Sequence, residues 1–257
     1  YATVSGGGPP VVLLHGLFGM SSNLGSVARA LAPSFEVHQL DLPNHGRSPW
    51  MQSMGLDDLA DAIAAYCTRV GLERAAFLGH SLGGKVAMQL ALRSPARVAA
   101  LVVADIAPVE YAPSHGAVFA GLADVAATPP ASRAEAATVL RRHLEEDAVV
   151  QFLLLSLARG EDRRYHWRFN VEALAANYDR LREAPQGRAY EGPALFLYGA
   201  LSSYVDAPGL AAAEELFPGM RSRAIAGTGH WLHAEKPAEF NAAVVEFLTD
   251  TRGKEHR

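Results

Sequence analysis

Residues 75–87 read Ala75-Ala76-Phe77-Leu78-Gly79-His80-Ser81-Leu82-Gly83-Gly84-Lys85-Val86-Ala87, and the fold follows from how this stretch is parsed. Ala75–Leu78 is a short apolar run of the kind that forms a buried strand. Leu82–Arg93 has helical composition and is stopped by Ser94-Pro95, because the residue before a proline is pushed out of the helical region. Between them, Gly79-His80-Ser81-Leu82-Gly83 fits the pattern G-x-S-x-G. So tight a turn holds its serine in a strained backbone conformation, and side chains at the flanking positions would collide across it. Ser81 is thereby placed at a helix N-terminus, where free amides and the positive dipole end favour developing negative charge. Strand, sharp turn and helix are the context the motif requires, and they make Ser81 the candidate nucleophile.

Outward from this turn the chain alternates strand and helix. Val11–Leu14 follows the turn signal Gly6-Gly7-Gly8-Pro9-Pro10, and further strands are expected at Phe35–Leu40, Val98–Ala104, Ala194–Tyr198 and Arg221–Ala226. A helix is expected over Asp57–Val70, with Asp57 as N-cap and Gly71 closing it. Another covers Pro237–Thr249, with Phe240, Val244, Phe247 and Leu248 on one face. The alternation predicts an α/β protein with a mostly parallel central sheet and helices on both faces. From Pro108 to Ala189 the alternation stops. Ser132 with Glu135 fits a capping box opening a helix to about Asp147; Ala148–Ala158 is apolar on almost every side; Asn170–Glu183 is a third helix. No strand is expected there. The expected organisation is a core from 1–107 and 190–257, with a helical cap from 108–189 over the sheet's carboxyl edge.

The chain has 257 residues, 49% hydrophobic and 19% charged, with a formal net charge of -4. It offers no basic field for nucleic acid or an anionic membrane surface. No apolar run reaches the ~20 residues of a membrane span, and no signal peptide is evident, so a cytoplasmic location is expected. The single cysteine, Cys67, allows no intrachain disulfide and reads as a buried thiol. No cofactor or metal is expected: no His/Cys cluster has zinc-ligand spacing and no G-x-G-x-x-G opens a helix.

His15-Gly16-Leu17-Phe18-Gly19 directly follows the first apolar strand. Backbone amides there and just after the nucleophile are suited to an oxyanion, which assigns the pair to Leu17 and Leu82, with Phe18 as the alternative donor. His15 and His80 read as structural. Gly227-Thr228-Gly229-His230-Trp231 follows the last strand, and the order serine then histidine makes His230 the candidate base, with His233 its rival. For the acid that orients the base, Asp105 ends the strand Val98–Ala104, at the carboxyl edge where sites of open α/β sheets lie. Asp206, in the loop after Gly199, is the alternative, unless it caps a helix at Ala207-Pro208. Phe18, Trp167, Phe169 and Trp231 are candidate pocket walls.

These segments, with Asn44-His45-Gly46, Gly79-His80-Ser81-Leu82-Gly83-Gly84-Lys85, Asp105-Ile106-Ala107-Pro108-Val109, Trp167-Arg168-Phe169-Asn170 and 229–237, resemble the α/β-hydrolase superfamily over nearly the whole chain. The resemblance is closer still to the bacterial YbfF-like esterases. In most of the superfamily the acid stands in a Gly-x-x-Asp pattern after the strand that here is Ala194–Tyr198; Gly199-Ala200-Leu201-Ser202 puts serine in that place. A hydroxyl cannot stabilise an imidazolium as a carboxylate does. The resemblance implies an acid at Asp105, a serine assisting at Ser202, and hydrolysis of small esters with short acyl chains through an acyl-enzyme. Acyl transfer, thioester hydrolysis or C–C cleavage on the same groups, and a receptor that retains them, are the alternatives. The short N-terminus departs from the superfamily by leaving little room for its first strands.

Overall fold

The computed structural model describes residues 1–255, with side chains described through residue 252. Among the described residues nine strands are formed: β1 Ala2–Gly6, β2 Pro10–Leu14, β3 Glu36–Leu40, β4 Ala75–His80, β5 Val98–Ala104, β6 Leu157–Arg159, β7 Tyr165–Trp167, β8 Ala194–Gly199 and β9 Arg221–Ile225. The helices are α1 Gly25–Leu31, α2 Leu56–Arg69, α3 Leu82–Arg93, α4 Gly116–Ala127, α5 Arg133–Leu140, α6 Asp147–Leu155, α7 Val171–Ala176, α8 Tyr178–Arg182, α9 Ala207–Leu216, α10 Leu232–Glu235 and α11 Pro237–Glu255.

Seven strands make one sheet in the order β1-β3-β2-β4-β5-β8-β9. All neighbours are parallel except the edge strand β1, which runs antiparallel to β3. The short N-terminus therefore does supply an edge strand: Ala2–Gly6 pairs with Glu36–Leu40, and Gly6 at φ 77 turns the chain into β2. Because side chains alternate across a strand, the central strands feed two cores. Val12, Leu14, Phe77, Leu101, Val103 and Phe196 pack with residues of α2 and α3 on one face. Val11, Leu13, Leu78, Val102, Leu195 and Leu197 pack with residues of α1 and α11 on the other. Phe240, Val244, Phe247 and Leu248 of α11 are buried there, as their helical spacing requires.

The segment between β5 and β8 differs from its sequence expectation in three ways. Leu157–Arg159 and Tyr165–Trp167 form a small antiparallel hairpin, so the segment is not wholly helical. Its turn holds Arg163 at φ 64, a conformation that side-chain identity alone does not advertise. The helix begun at Ser132 ends at Leu140 rather than near Asp147, although the cap itself forms, Glu135 N–H donating to Ser132 Oγ at 3.1 Å. Asn170–Glu183 breaks at Asn177 into α7 and α8, because the Asn177 side chain is taken by Met54 N–H and by the Gln52 and Ala173 carbonyls. In the core, Gly55 rather than Asp57 caps α2; Asp58 reaches back to the Gly55 amide at 2.8 Å. No helix among the described residues is long and apolar enough to cross a membrane.

The segment is tied to α3 by one buried cation. Lys85, 2% exposed, donates to the carbonyls of Val109 at 3.0 Å, Arg182 at 2.6 Å and Glu183 at 2.6 Å. Val109 lies where the chain leaves the sheet, and Arg182 and Glu183 where it returns. One turn further along the same helix face, Gln89 bonds both the amide and the carbonyl of Gln186.

Candidate active site

Ser81 stands between β4 and α3 with φ 52 and ψ -118, the strained elbow the sequence predicts. Its glycines are sterically required: a Cβ on Gly79 would strike the Gly83 carbonyl, and one on Gly83 would strike the carbonyls of Leu14 and His15. Ser81 N–H donates to the Ala104 carbonyl at 2.9 Å, fastening the elbow to the end of β5. Its hydroxyl has no hydrogen-bond partner among the described residues and borders a cavity of about 780 Å³.

The same cavity is bordered by Gly16, Leu17, Phe18, His80, Ser202, Tyr204, His230 and Trp231. Val118, Val149, Phe152 and Leu153 form an apolar wall from the segment between β5 and β8. Trp167 and Phe169 are not among the lining residues, contrary to expectation. They stack on each other at 5.1 Å behind Phe18, and the indole N–H is satisfied by the Leu122 carbonyl at 3.0 Å. Their aromatic surface is consumed by packing.

His230 Nδ1–H donates to Asp105 Oδ2 at 2.7 Å, which leaves Nε2 as the ring's free acceptor. Asp105 also accepts from the Gly199 amide on Oδ1 at 2.8 Å and from Ser202 Oγ on Oδ2 at 2.5 Å. Its carboxyl group is fully buried, while the imidazole keeps 19% exposure toward the cavity. Three donors thus offset the desolvation of this charge. Asp105 sits at φ 53, immediately past β5, a positive φ like that of Ser81 just past β4. Asp206 lies elsewhere: it caps α9 through the Gly209 amide at 2.8 Å. The imidazole of His230 packs against two rings, Tyr204 stacked at 4.2 Å and His80 at 4.7 Å.

The other histidines are structural in their bonding. His15 accepts the Leu42 amide on Nε2 and donates Nδ1–H to the Gly16 carbonyl at 2.8 Å. His45 donates Nδ1–H to the Pro43 carbonyl and accepts the Phe18 amide at 3.2 Å. Burial pushes His45 down to about 3 and lowers His15, so both stay neutral and can both donate and accept. His80 donates Nε2–H to the His230 carbonyl at 2.8 Å, and burial beside His233 and His230 holds it neutral. His233 is buried against His80, pushed down to about 4 by burial, and does not reach the cavity.

Of the two candidate oxyanion donors, Leu17 borders the cavity, while Leu82, the first residue of α3, is not among its lining residues. The Phe18 amide is engaged by His45, which leaves those of Leu17 and Leu82 without an acceptor among the described residues. Sequence reasoning missed Tyr204, which stacks on His230, Ser156, whose hydroxyl donates to the Phe18 carbonyl at 2.7 Å, and the three-carbonyl role of Lys85. Each depends on chain segments far apart in sequence, and none carries a local motif. Cys67 is buried with its thiol pushed up to about 11 by burial, an unreactive position.

This constellation at the carboxyl ends of β4, β5, β8 and β9 coincides with a family match. The family profile described as "alpha/beta hydrolase fold" covers residues 9–237. The chain belongs to the α/β-hydrolase fold family. Among its relatives, "Esterase YbfF" of Escherichia coli is 39% identical over 94% of this chain and 93% of that protein. The mouse "sn-1-specific diacylglycerol lipase ABHD11" is 36% identical over 93% of this chain and 81% of that protein. A solved structure described as "Marine microorganism esterase" superposes with a TM-score of 0.91 at 34% identity, covering 96% of this chain and 98% of its own. Within the α/β-hydrolases the chain therefore falls among hydrolytic enzymes named esterases and lipases.

Proposed function

We propose that the chain is a serine carboxylesterase that cleaves small, short-chain acyl esters through an acyl-enzyme. Ser81 attacks the ester carbonyl, His230 Nε2 takes its proton, and Asp105 holds the Nδ1–H tautomer and stabilises the imidazolium. The Leu17 and Leu82 amides receive the oxyanion, and Ser202 assists by donating to Asp105. Residues 108–189 act as the cap whose apolar wall meets the acyl or alcohol group. Water activated by His230 then releases the acid.

The observation that carries this reading is the 2.7 Å bond from His230 Nδ1 to a fully buried Asp105, in a cavity shared with a serine at φ 52. A ring so oriented offers Nε2 on its other side, and the strained Ser81 borders the same cavity as that ring. In this arrangement Ser81 Oγ is not bonded to the ring, and such bonds commonly tighten when substrate binds.

The test is hydrolysis of p-nitrophenyl acetate by wild type and Ser81→Ala. The variant is expected to lose at least a thousandfold in kcat with its unfolding midpoint unchanged. Wild-type turnover in the purified variant would end the proposal.

A further inference from the structure

The oxyanion loop is held in part from outside the core. Phe18 has φ 63, a left-handed backbone that a bulky residue keeps only under constraint. His45 takes its amide at 3.2 Å. Its carbonyl accepts from Ser156 Oγ at 2.7 Å, a hydroxyl 138 positions away at the end of α6. Ser156 is 1% exposed, and its own backbone is fixed by bonds to the Leu153 carbonyl and from the Arg168 amide. The Phe18 ring packs on Phe119 and Phe169, so that side chain too is seated by the same segment.

From Ser156 the bonds run on toward Leu17. The Phe18 carbonyl shares a planar peptide with the Gly19 amide, and Gly19 N–H donates to the Gly16 carbonyl at 3.1 Å. The Gly16 carbonyl, held also by His15 Nδ1–H, shares a peptide with the Leu17 amide. In a trans peptide the C=O and N–H point in opposite directions, so fixing the Gly16 oxygen aims the Leu17 N–H the other way. Successive bonds of this kind also polarise one another.

We infer that Ser156 is a positioning residue for the oxyanion donor: its hydroxyl fixes, through two peptide planes, the direction of the Leu17 amide. The inference rests on the reading of Leu17 as an oxyanion donor. It makes the α6 end of the inserted segment a determinant of turnover and not only of substrate fit. With the segment displaced, the Phe18 carbonyl loses its partner and the left-handed residue relaxes.

The experiment compares Ser156→Ala, Ser156→Cys and Ser156→Thr. Outright loss of an oxyanion donor costs about 10²–10³ in kcat. Misaiming one is a partial loss, and Ser156→Ala is expected to lower kcat about tenfold with KM within threefold. Affinity for an alkyl trifluoromethyl ketone, whose adduct carries the oxyanion, is expected to fall in parallel, while affinity for the alcohol product, which places no oxyanion there, stays unchanged. Ser156→Thr keeps the hydroxyl and restores kcat; Ser156→Cys, a weak donor, falls between them and carries the test if the alanine variant does not fold. Unchanged kcat in folded Ser156→Ala or Ser156→Cys, or a rise in KM alone, overturns the inference. Labelling by a fluorophosphonate separates the two levels. If wild type is not labelled at Ser81 the underlying reading fails; if it is, and the Ser156 variants are labelled at the same rate, only this inference fails.

Discussion

Replacing Asp105 by asparagine tests the proposed orienting acid without disturbing the backbone. Asp105 sits at φ 53, and asparagine is among the few residues that adopt this region readily, so the fold is expected to survive. The carboxylate now receives three donors: Gly199 N–H on Oδ1, and Ser202 Oγ–H and His230 Nδ1–H on Oδ2. An amide has only one oxygen to offer. If that oxygen stays on Gly199, the amide NH2 faces His230 Nδ1, and the ring must carry its proton on Nε2 instead. The ring then holds a proton on the side from which it should receive one. A tautomer reversal of this type costs about 10⁴ in kcat, or ~5.5 kcal/mol at 1.36 kcal/mol per tenfold. The flipped amide restores the tautomer but sets NH2 against the buried Gly199 N–H, at ~1–3 kcal/mol for the unpaired donors, and still removes the charge opposite the imidazolium. Both orientations lose activity, and the first is the lower in energy because the Ser202 hydroxyl can turn to accept. Asp206→Asn is the control: asparagine caps a helix as well as aspartate does, so the bond to Gly209 persists and kcat stays within about twofold. The assay is kcat on p-nitrophenyl acetate with unfolding midpoints for both variants. Asp105→Asn retaining a tenth or more of wild-type kcat, or Asp206→Asn losing as much, would refute the assignment.

Two further outcomes follow from buried groups. Lys85→Met removes the donor to three carbonyls and leaves them to water or to nothing; unpaired buried acceptors cost ~1–3 kcal/mol each, partly offset by no longer burying an ammonium whose burial pushes it down to about 7. A net loss of roughly 2–4 kcal/mol is expected in urea unfolding, and an unchanged midpoint would show that Lys85 does not fasten the segment. Stability is also expected to fall in mild acid. Burial lowers His45 to about 3 and His115 and His233 to about 4, below the ~6.5 of an unfolded chain. Between those values the unfolded state binds more protons, so the stability these groups contribute is complete above pH 6.5 and is lost as pH falls toward 4 and below. Each contributes up to ~1.4 kcal/mol per pH unit in that window. Urea midpoints at pH 7.5, 6 and 5 measure this, and a flat series would contradict the buried neutral state.

Much of the architecture is local and could be read from the chain. The elbow is legible because its geometry needs glycine at Gly79 and Gly83, and the substitutions it forbids are visible in the residues themselves. The parallel strands are legible because those buried on both faces become short apolar runs, as in β4 and β5. The edge strand β1 is not, since Ala2–Gly6 is largely exposed and lacks such a run. The hairpin β6–β7 escapes for a similar reason: its strands have three residues each, too short for periodicity to register.

The chain's residues alone specify a set of groups and their order: a serine on a tight turn, a histidine after the last strand, a carboxylate at a strand end. Which of those groups meet depends on how the elements pack in three dimensions. Along the chain Asp105 is favoured by its place at a strand end and Asp206 stays open as the alternative; in the fold the first bonds His230 while the second spends its oxygen on a helix end. Trp167 and Phe169 have pocket-like chemistry, but packing behind Phe18 uses up their faces. Ser156 and Phe18 meet across 138 positions because α6 is docked there. A short-range pattern can encode backbone conformation, which is a property of neighbours; contact between distant segments depends on how whole elements pack, and no window of the chain contains that information.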